Sequence, residues 1–313
     1  MNQKQPRLVA LGDLLLDVVI SPGRPIERGT DVPGTLAFRR GGSAANTTVA
    51  FARAGGATSL ITGLGDDYWA GRLMSSLRAE GVRVHAVRHP GSSGRLAALI
   101  DDRGERSFVT ERGVADALES SEIEPAWLRG ADVLHVPAYS LFAEPIGSAS
   151  VRASELAHAA GALVSTDLSS QGPLLASGVR KSRARIAAIA PDVLFANRDE
   201  AAALSRETGR RAWVRLLDQA ALVVVKDGAW GCRVLWGGSD TMRQIDVAAT
   251  RIGGRIDTTG AGDAFAAGFL YSLLRSGGRE AMAHEQALGR AAMAGHRTAG
   301  EALRRGRPEI RLG

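Results

Sequence analysis

Short apolar runs alternate with amphipathic stretches along almost the whole of this chain. Runs at 8–20, 58–63, 82–87, 133–137, 163–167, 193–197 and 221–226 are rich in Val, Ile and Leu and are bounded by polar or glycine residues, which predicts strands. Between them, apolar positions recur at helical spacing over 43–54, 67–80, 144–160, 181–190 and 199–206. Strands alternating with helices predict an α/β fold, a central mostly parallel sheet flanked by helices. After Lys226 the texture changes: 232–236 and 244–248 read as antiparallel strands, followed by helices at 262–275 and 280–298. No repeat, low-complexity segment or Pro/Ser linker divides the chain, so residues 1–313 are expected to form a single domain.

Two stretches break the rhythm. Residues 21–40 are rich in Gly, Pro and Arg, with a strand expected at 35–39, and 95–112 reads as two strands around the turn signal Asp101-Asp102-Arg103-Gly104. Together they predict a discontinuous β lid, formed by about 14–40 and 93–113, over the end of the sheet where α/β folds bind ligands.

Composition narrows the function classes. Of 313 residues, 45% are hydrophobic and 23% charged, as in soluble globular proteins. No apolar run reaches the ~20 residues of a membrane span, and the start of the chain lacks a signal peptide's apolar core, so no membrane partner and a cytoplasmic setting are expected. The net charge of +6 is spread along the chain without a basic run interleaved with aromatics, so no nucleic-acid partner is expected. The lone Cys232 excludes an internal disulfide.

The most informative stretch is Asp257-Thr258-Thr259-Gly260-Ala261-Gly262-Asp263, which opens an apolar helix. Glycines there let an anion approach unpaired N–H groups at the positive end of the helix dipole. Asp263, in the first turn, reads either as a helix-capping acid or as a base beside a phosphate cradle. A P-loop is excluded because the chain has no Gly-Lys pair, and Phe265 fills the third glycine position of a dinucleotide fingerprint. Gly41-Gly42-Ser43-Ala44-Ala45-Asn46 is a second constellation, with Asn46 able to donate and accept toward polyol hydroxyls or Ser43 merely capping a helix. Asp13 and Asp17 end an otherwise apolar run, where a carboxylate needs a partner such as a sugar hydroxyl pair. His85 and His89 flank a strand end rather than sharing a helix face, which argues against a metal pair.

These motifs, with Gly65-Asp66-Asp67…Gly71, Asn197-Arg198-Asp199-Glu200 and Gly228-Ala229-Trp230-Gly231, occur in an order and spacing that resemble the ribokinase, or PfkB-type carbohydrate kinase, family over essentially the whole chain. The resemblance implies a ribokinase-like fold and ATP-dependent transfer of the γ-phosphoryl group to a primary hydroxyl of a sugar or nucleoside, with Mg²⁺. It implies Asp263 as general base and Gly260, Ala261 and Gly262 as the anion hole. Asp17, Gly41, Gly42 and Asn46 would hold the acceptor, and Asn197, Lys226, Gly228 and Gly231 the nucleotide. Glu200 would hold Mg²⁺ through water, and Asp257 and Thr259 lie where members that bind a monovalent cation such as K⁺ have ligands. An adenine wall is expected around Ala291, Ala292 and Gly295, and a homodimer clasped through the lid.

Some residues depart from the pattern. Ser43 stands where ribokinases resemble one another in having Lys, Pro137-Ala138-Tyr139 lacks a sugar-binding Glu, and Asp167-Leu168-Ser169-Ser170 lacks the pattern of ketodeoxygluconate kinases. A nucleoside would call on Phe38 and Phe108 for stacking, and a phosphorylated sugar on Arg39, Arg40, Arg106 and Arg112. The reading from another class, a non-catalytic sugar or nucleoside sensor on the same fold, predicts loss of the base or the anion hole, and both are present.

Overall fold

The computed structural model describes residues 4–101, 106–176, 178–237, 241–250 and 257–310. The first half of the chain forms β1 (Arg7–Leu11), β2 (Leu15–Pro22), β3 (Gly34–Gly41), α1 (Ser43–Arg53), β4 (Ala57–Leu64), α2 (Tyr68–Arg78), β5 (Arg83–Arg88), β6 (Arg95–Ile100), β7 (Arg106–Glu111) and α3 (Pro125–Leu128). Then come β8 (Val133–Pro137), α4 (Ile146–Ala159), β9 (Leu163–Asp167), α5 (Gln171–Ala176), α6 (Val179–Ala188), β10 (Val193–Asn197), α7 (Arg198–Ser205) and α8 (Gly209–Leu216). The last elements are β11 (Leu222–Lys226), β12 (Cys232–Trp236), β13 (Arg243–Val247), α9 (Ala261–Arg275) and α10 (Glu285–Arg305).

Nine strands make the main sheet, in the order β13-β12-β11-β10-β9-β8-β1-β4-β5. It is parallel from β5 to β11 and turns antiparallel at β12 and β13. The central strands are apolar on both faces because each face is covered by helices. Val9, Leu11 and Ile61 face one apolar cluster, with α4, α6, α7 and α8, while Leu8, Ala10 and Leu60 face the other, with α1, α2, α9 and α10. In the second cluster Phe195 meets Phe269 edge-on with centroids 5.5 Å apart, fixing α9 against β10.

The expected strand over 8–20 is in fact two strands in different sheets. Gly12 presses against the loop after β8, where a Cβ would lie 2.7 Å from Ser140 Oγ. Asp13 then turns inward, accepts the Ala44 N–H at 3.2 Å and pairs with Arg112 at 3.1 Å. This polar anchor ends β1 and sends β2 into a smaller four-stranded sheet of order β3-β2-β6-β7. That lid sheet is antiparallel at β2/β3 and β6/β7 and parallel at β2/β6. The turn expected at Asp101 to Gly104 lies, apart from Asp101, outside the described residues.

The helix expected over 280–298 is a 3₁₀ turn, Glu280–Ala283, followed by α10. Amphipathic α8 was not anticipated, although Ala212, Trp213 and Leu216 form its buried face and Arg233 covers the Trp213 ring at 4.1 Å. Among the described residues no helix is long and apolar enough to cross a membrane.

Candidate active site

The carboxyl ends of β1, β8, β9, β10 and β11 lie on one edge of the main sheet, under the lid. Asp13, Tyr139, Asp167, Asn197 and Lys226 project from that edge into a cavity of about 1030 Å³, which the lid residues Leu15, Asp17, Leu96, Phe108 and Thr110 roof. Register explains the roof: Asp17, Leu96 and Thr110 are in line across β2, β6 and β7, so all three face the same side of the lid.

At the floor, α9 begins with Gly260 in the left-handed region, φ 80°, and no side chain caps it. Ala264 N–H makes the first intrahelical bond, to Gly260 O at 2.9 Å, and Ala261 N–H turns back to Thr258 O at 3.1 Å. Of the expected anion-hole groups, Ala261 therefore spends its N–H on the turn; those of Gly262 and Asp263 precede the first helical donor. Space beside them is tight, since a Cβ on Gly262 would lie 3.1 Å from Lys226 Nζ.

Asp263 accepts the Ser43 hydroxyl on Oδ1 at 2.5 Å and the Asn46 carboxamide on Oδ2 at 3.0 Å. Burial pushes its pKa up to about 6, the two hydrogen bonds pull it down, Asp167 raises it and Lys226 lowers it. Such a carboxylate is largely ionised at neutral pH and close enough to its pKa to take a proton. Ser43 does not cap α1: Gly42 holds the cap position at φ 99° with no side-chain bond, and the Ser43 hydroxyl is spent on Asp263. Gly42 is required there because a Cβ would lie 2.3 Å from Asp13 O, and one on Gly41 would strike the Asp17 carboxylate.

Asp17 is 4% exposed and ion-paired with Arg307, while its Oδ1 is buried without a hydrogen-bond partner. Burial raises its pKa, partly offset by Arg307. An acceptor hydroxyl could fill that vacant lone pair.

Asn197 and Glu200 form a reciprocal capping box at the start of α7. Asn197 Oδ1 accepts the Glu200 N–H at 2.8 Å, and the Glu200 carboxylate accepts the Asn197 N–H at 2.7 Å and its carboxamide at 2.9 Å. Burial, then Asp167, pushes the Glu200 pKa up to about 7, against Lys226. Lys226 is ion-paired with Asp167, a residue not singled out as chemical in the sequence. Its ammonium is held between Asp167 and Gly262, and Gly228, φ 55°, also borders the cavity. Gly231, φ 114°, abuts Val247 O instead, where a Cβ would lie 2.1 Å away, so it shapes the turn after β11.

Several expectations do not hold. Ala291 and Ala292 are fully buried in the core, and Gly295 packs on the Phe265 ring, so no base can reach that part of α10. Phe38 lies on the lid face away from the cavity and packs against Trp69, the rings tilted with centroids 5.1 Å apart, which leaves Phe108 as the lid aromatic of the cavity among the described residues. Arg112 is committed to Asp13 and Asp116 and lies over the Tyr139 ring, and Arg40 does not line this cavity, so neither serves it as an acceptor-phosphate ligand. Asp257 accepts the Thr259 N–H at 2.9 Å and faces Arg39 at 3.9 Å and Arg307 at 3.8 Å. A carboxylate already facing two guanidiniums does not fit a monovalent-cation ligand.

Comparison with known proteins places the chain in a family. Residues 5–307 match the family model described as pfkB family carbohydrate kinase. An Arabidopsis thaliana protein described as "Probable fructokinase-6, chloroplastic" is 32% identical over 289 residues, covering 87% of this chain and 71% of that protein. Adenosine kinase from Sinorhizobium meliloti shares the fold with a TM-score of 0.82 at 23% identity, covering 96% of this chain and 94% of its own. Fructokinase with bound ATP from Xylella fastidiosa superposes with a TM-score of 0.81 at 22% identity, covering 98% of this chain and 93% of its own. The chain belongs to the pfkB family of carbohydrate kinases and is a phosphotransferase of that class.

Proposed function

We propose that the protein transfers the γ-phosphoryl group of ATP to a primary hydroxyl of a free sugar, with a ketohexose such as fructose as the first candidate. The observation that carries the reading is the hold of Ser43 and Asn46 on Asp263, at the open N-terminus of α9 and inside a roofed cavity. Asp263 takes the proton of the acceptor hydroxyl as the oxygen attacks phosphorus. The N–H groups of Gly262 and Asp263, with the Lys226 ammonium beside Gly262, stabilise charge on the phosphoryl group in transit. Asp17, through its vacant Oδ1, and Asn46 orient the sugar under the lid.

Mg²⁺ fits the acidic side of the cavity, where Glu200, whose oxygens already serve the helix cap, would bind it through water, with Asp167 nearby. That ion supplies charge neutralisation on the nucleotide phosphates. The reading does not extend to K⁺, for the reason given at Asp257.

A free sugar is favoured over a nucleoside because the roof offers one aromatic, Phe108, with Phe38 turned away. It is favoured over a phosphorylated sugar because Arg112 is otherwise engaged and Arg40 lies outside the acceptor cavity. The fructokinase relative supports the ketohexose. ADP release with ATP and Mg²⁺ against fructose, ribose and adenosine tests the choice: adenosine preferred over both sugars makes it a nucleoside kinase, and no turnover of any alcohol returns it to the sensor reading. The homodimer closed through the lid belongs to the same proposal.

A further inference from the structure

A second cavity, with a volume of about 90 Å³, lies behind the acceptor pocket and shares Asn46, Thr259 and Gly260 with it. The charged part of its wall is Arg40, Arg53, Arg305 and Arg307 against a single carboxylate, Glu301. These arginines come from β3, α1, the last turn of α10 and the segment after it, so the fold gathers them from well-separated parts of the chain.

Two of the four are compensated, Arg53 by Glu80 and Arg307 by Asp17. Arg40 is not. It is 5% exposed, it makes one hydrogen bond, from Nη1 to Ala45 O at 3.2 Å, and no carboxylate pairs with it among the described residues. Burial pushes its pKa down to about 10, and Arg53 and Arg307 push it the same way, against the carboxylates of Glu80 and Asp17. A guanidinium has five donors, so Arg40 retains unused ones on the cavity side.

We propose that this cavity binds a phosphate-type oxyanion, separate from the phosphates of the nucleotide. Planar guanidinium forks match the oxygens of such an anion, and arginine is the residue suited to that task. A water needs about 10–15 Å³ of such space, so the cavity has room for several water-sized groups, enough for the four oxygens of a tetrahedral anion. Arg305, exposed at the mouth, gives an entry, and the same positive wall disfavours a cation. The shared wall makes the site consequential: Gly260 caps the helix that carries the anion hole, and Asn46 holds Asp263. Occupancy behind that wall therefore acts on the residues proposed for phosphoryl transfer.

Calorimetric titration of the full chain with inorganic phosphate tests this, with the front pocket filled by a non-hydrolysable ATP analogue and Mg²⁺. One equivalent of phosphate is expected to bind, at least tenfold more weakly in Arg40→Met and unchanged in Gly262→Val. Loss of phosphate binding once the analogue is present, or equal binding by Arg40→Met, overturns the site. If Arg40→Met does not fold, Arg305→Glu at the mouth serves: weakening of at least threefold supports the site, and no change overturns it. Glycerol 3-phosphate binding more tightly than phosphate identifies an ester ligand and the reverse the free ion, while binding of neither overturns the proposal. The comparison of Arg40→Met with wild type needs no turnover, so failure of the kinase reading would leave it intact.

Discussion

Ser43 donates its hydroxyl to Asp263 Oδ1 at 2.5 Å across 220 positions of sequence. The bond ties the first turn of α1 to the first turn of α9, and with Asn46 one turn further along α1 it fixes both oxygens of the proposed base. A hydrogen bond to the ionised form lowers a carboxyl pKa, so the pair holds Asp263 below the value that burial alone would set. The acid limb of kcat/KM is expected near pH 6 in wild type. In Ser43→Ala it should move to higher pH, with a smaller change in rate at pH 8. A pH profile of ADP release checks this, and an unmoved limb would separate Ser43 from the base.

Asp263→Asn should keep the fold and lower turnover by at least ~10²-fold, the usual scale for a positioned base. Its stability has a sign of its own. A carboxyl whose folded pKa is raised from 3.8 to about 6 favours the folded state below pH 4 and loses that contribution as pH rises through 6. The melting temperature of Asp263→Asn relative to wild type should therefore be higher at pH 8 than at pH 4. A difference that falls between those pH values contradicts the raised pKa.

Helix capping and ligand binding ask for the same residue types at the same spacing, so Asn197 and Glu200 do not separate the two roles by sequence alone. Capping is present in the geometry. The two roles separate in Glu200→Gln, whose carboxamide oxygen still accepts from the Asn197 N–H but carries no charge. Its melting temperature should stay within a few degrees of wild type while the Mg²⁺ concentration for half-maximal rate rises severalfold. Glu200→Ala should in addition lose about 1 kcal/mol with the cap. An unchanged Mg²⁺ dependence in both variants would leave Glu200 a capping residue only.

The strands under the site were legible because buried parallel strands are continuous apolar runs, and the glycine-rich entry to α9 because few structures other than an anion cradle call for Gly-Ala-Gly before a helix. The lid was harder. Nothing in the apolar run from Leu8 to Ile20 except Gly12-Asp13 marks the change of sheet, and the anchor depends on Arg112, 99 positions away. Asp167 and Arg307 gave no local signal at all. Each acquires its role from a partner that only the folded chain supplies, Lys226 in one case and Asp17 in the other. Ala291 and Ala292 misled for the converse reason, since small residues on a helix suit close helix packing as well as the face of a base.

Lys226 and Asp167 should be coupled in stability as well as in chemistry. Asp167 is 2% exposed, so Lys226→Met leaves a buried carboxylate without its cation and is expected to cost about 3 kcal/mol. Lys226→Met/Asp167→Asn removes the stranded charge and should recover most of that loss. Both variants should lose turnover, because neither places an ammonium beside Gly262. Denaturant unfolding and ADP release, measured on the same preparations, check the two halves. A double variant as unstable as the single one would show that the pair is not what holds Asp167 in place.

The lid sheet has two faces, and only one has work at the site. Asp17, Leu96 and Thr110 face the cavity, while Val18, Phe38, Ala97 and Val109 are in register on the other side. Trp69 covers Phe38 there, but Leu36 and Val109 remain 61% and 72% exposed, near the free edges of a four-stranded sheet. Small sheets of this kind are marginal when an apolar face is left to water, and an unpaired edge invites another strand. Pairing of two lids across this face would cover both residues and hold the cavity roof in place. Light scattering at micromolar concentration should therefore give twice the chain mass for wild type. Leu36→Asp/Val109→Asp, which touches no residue of the cavity, should give the monomer mass and a raised KM for the sugar. A monomeric wild type, or a dimer indifferent to both changes, would mean that the exposed face has no such role.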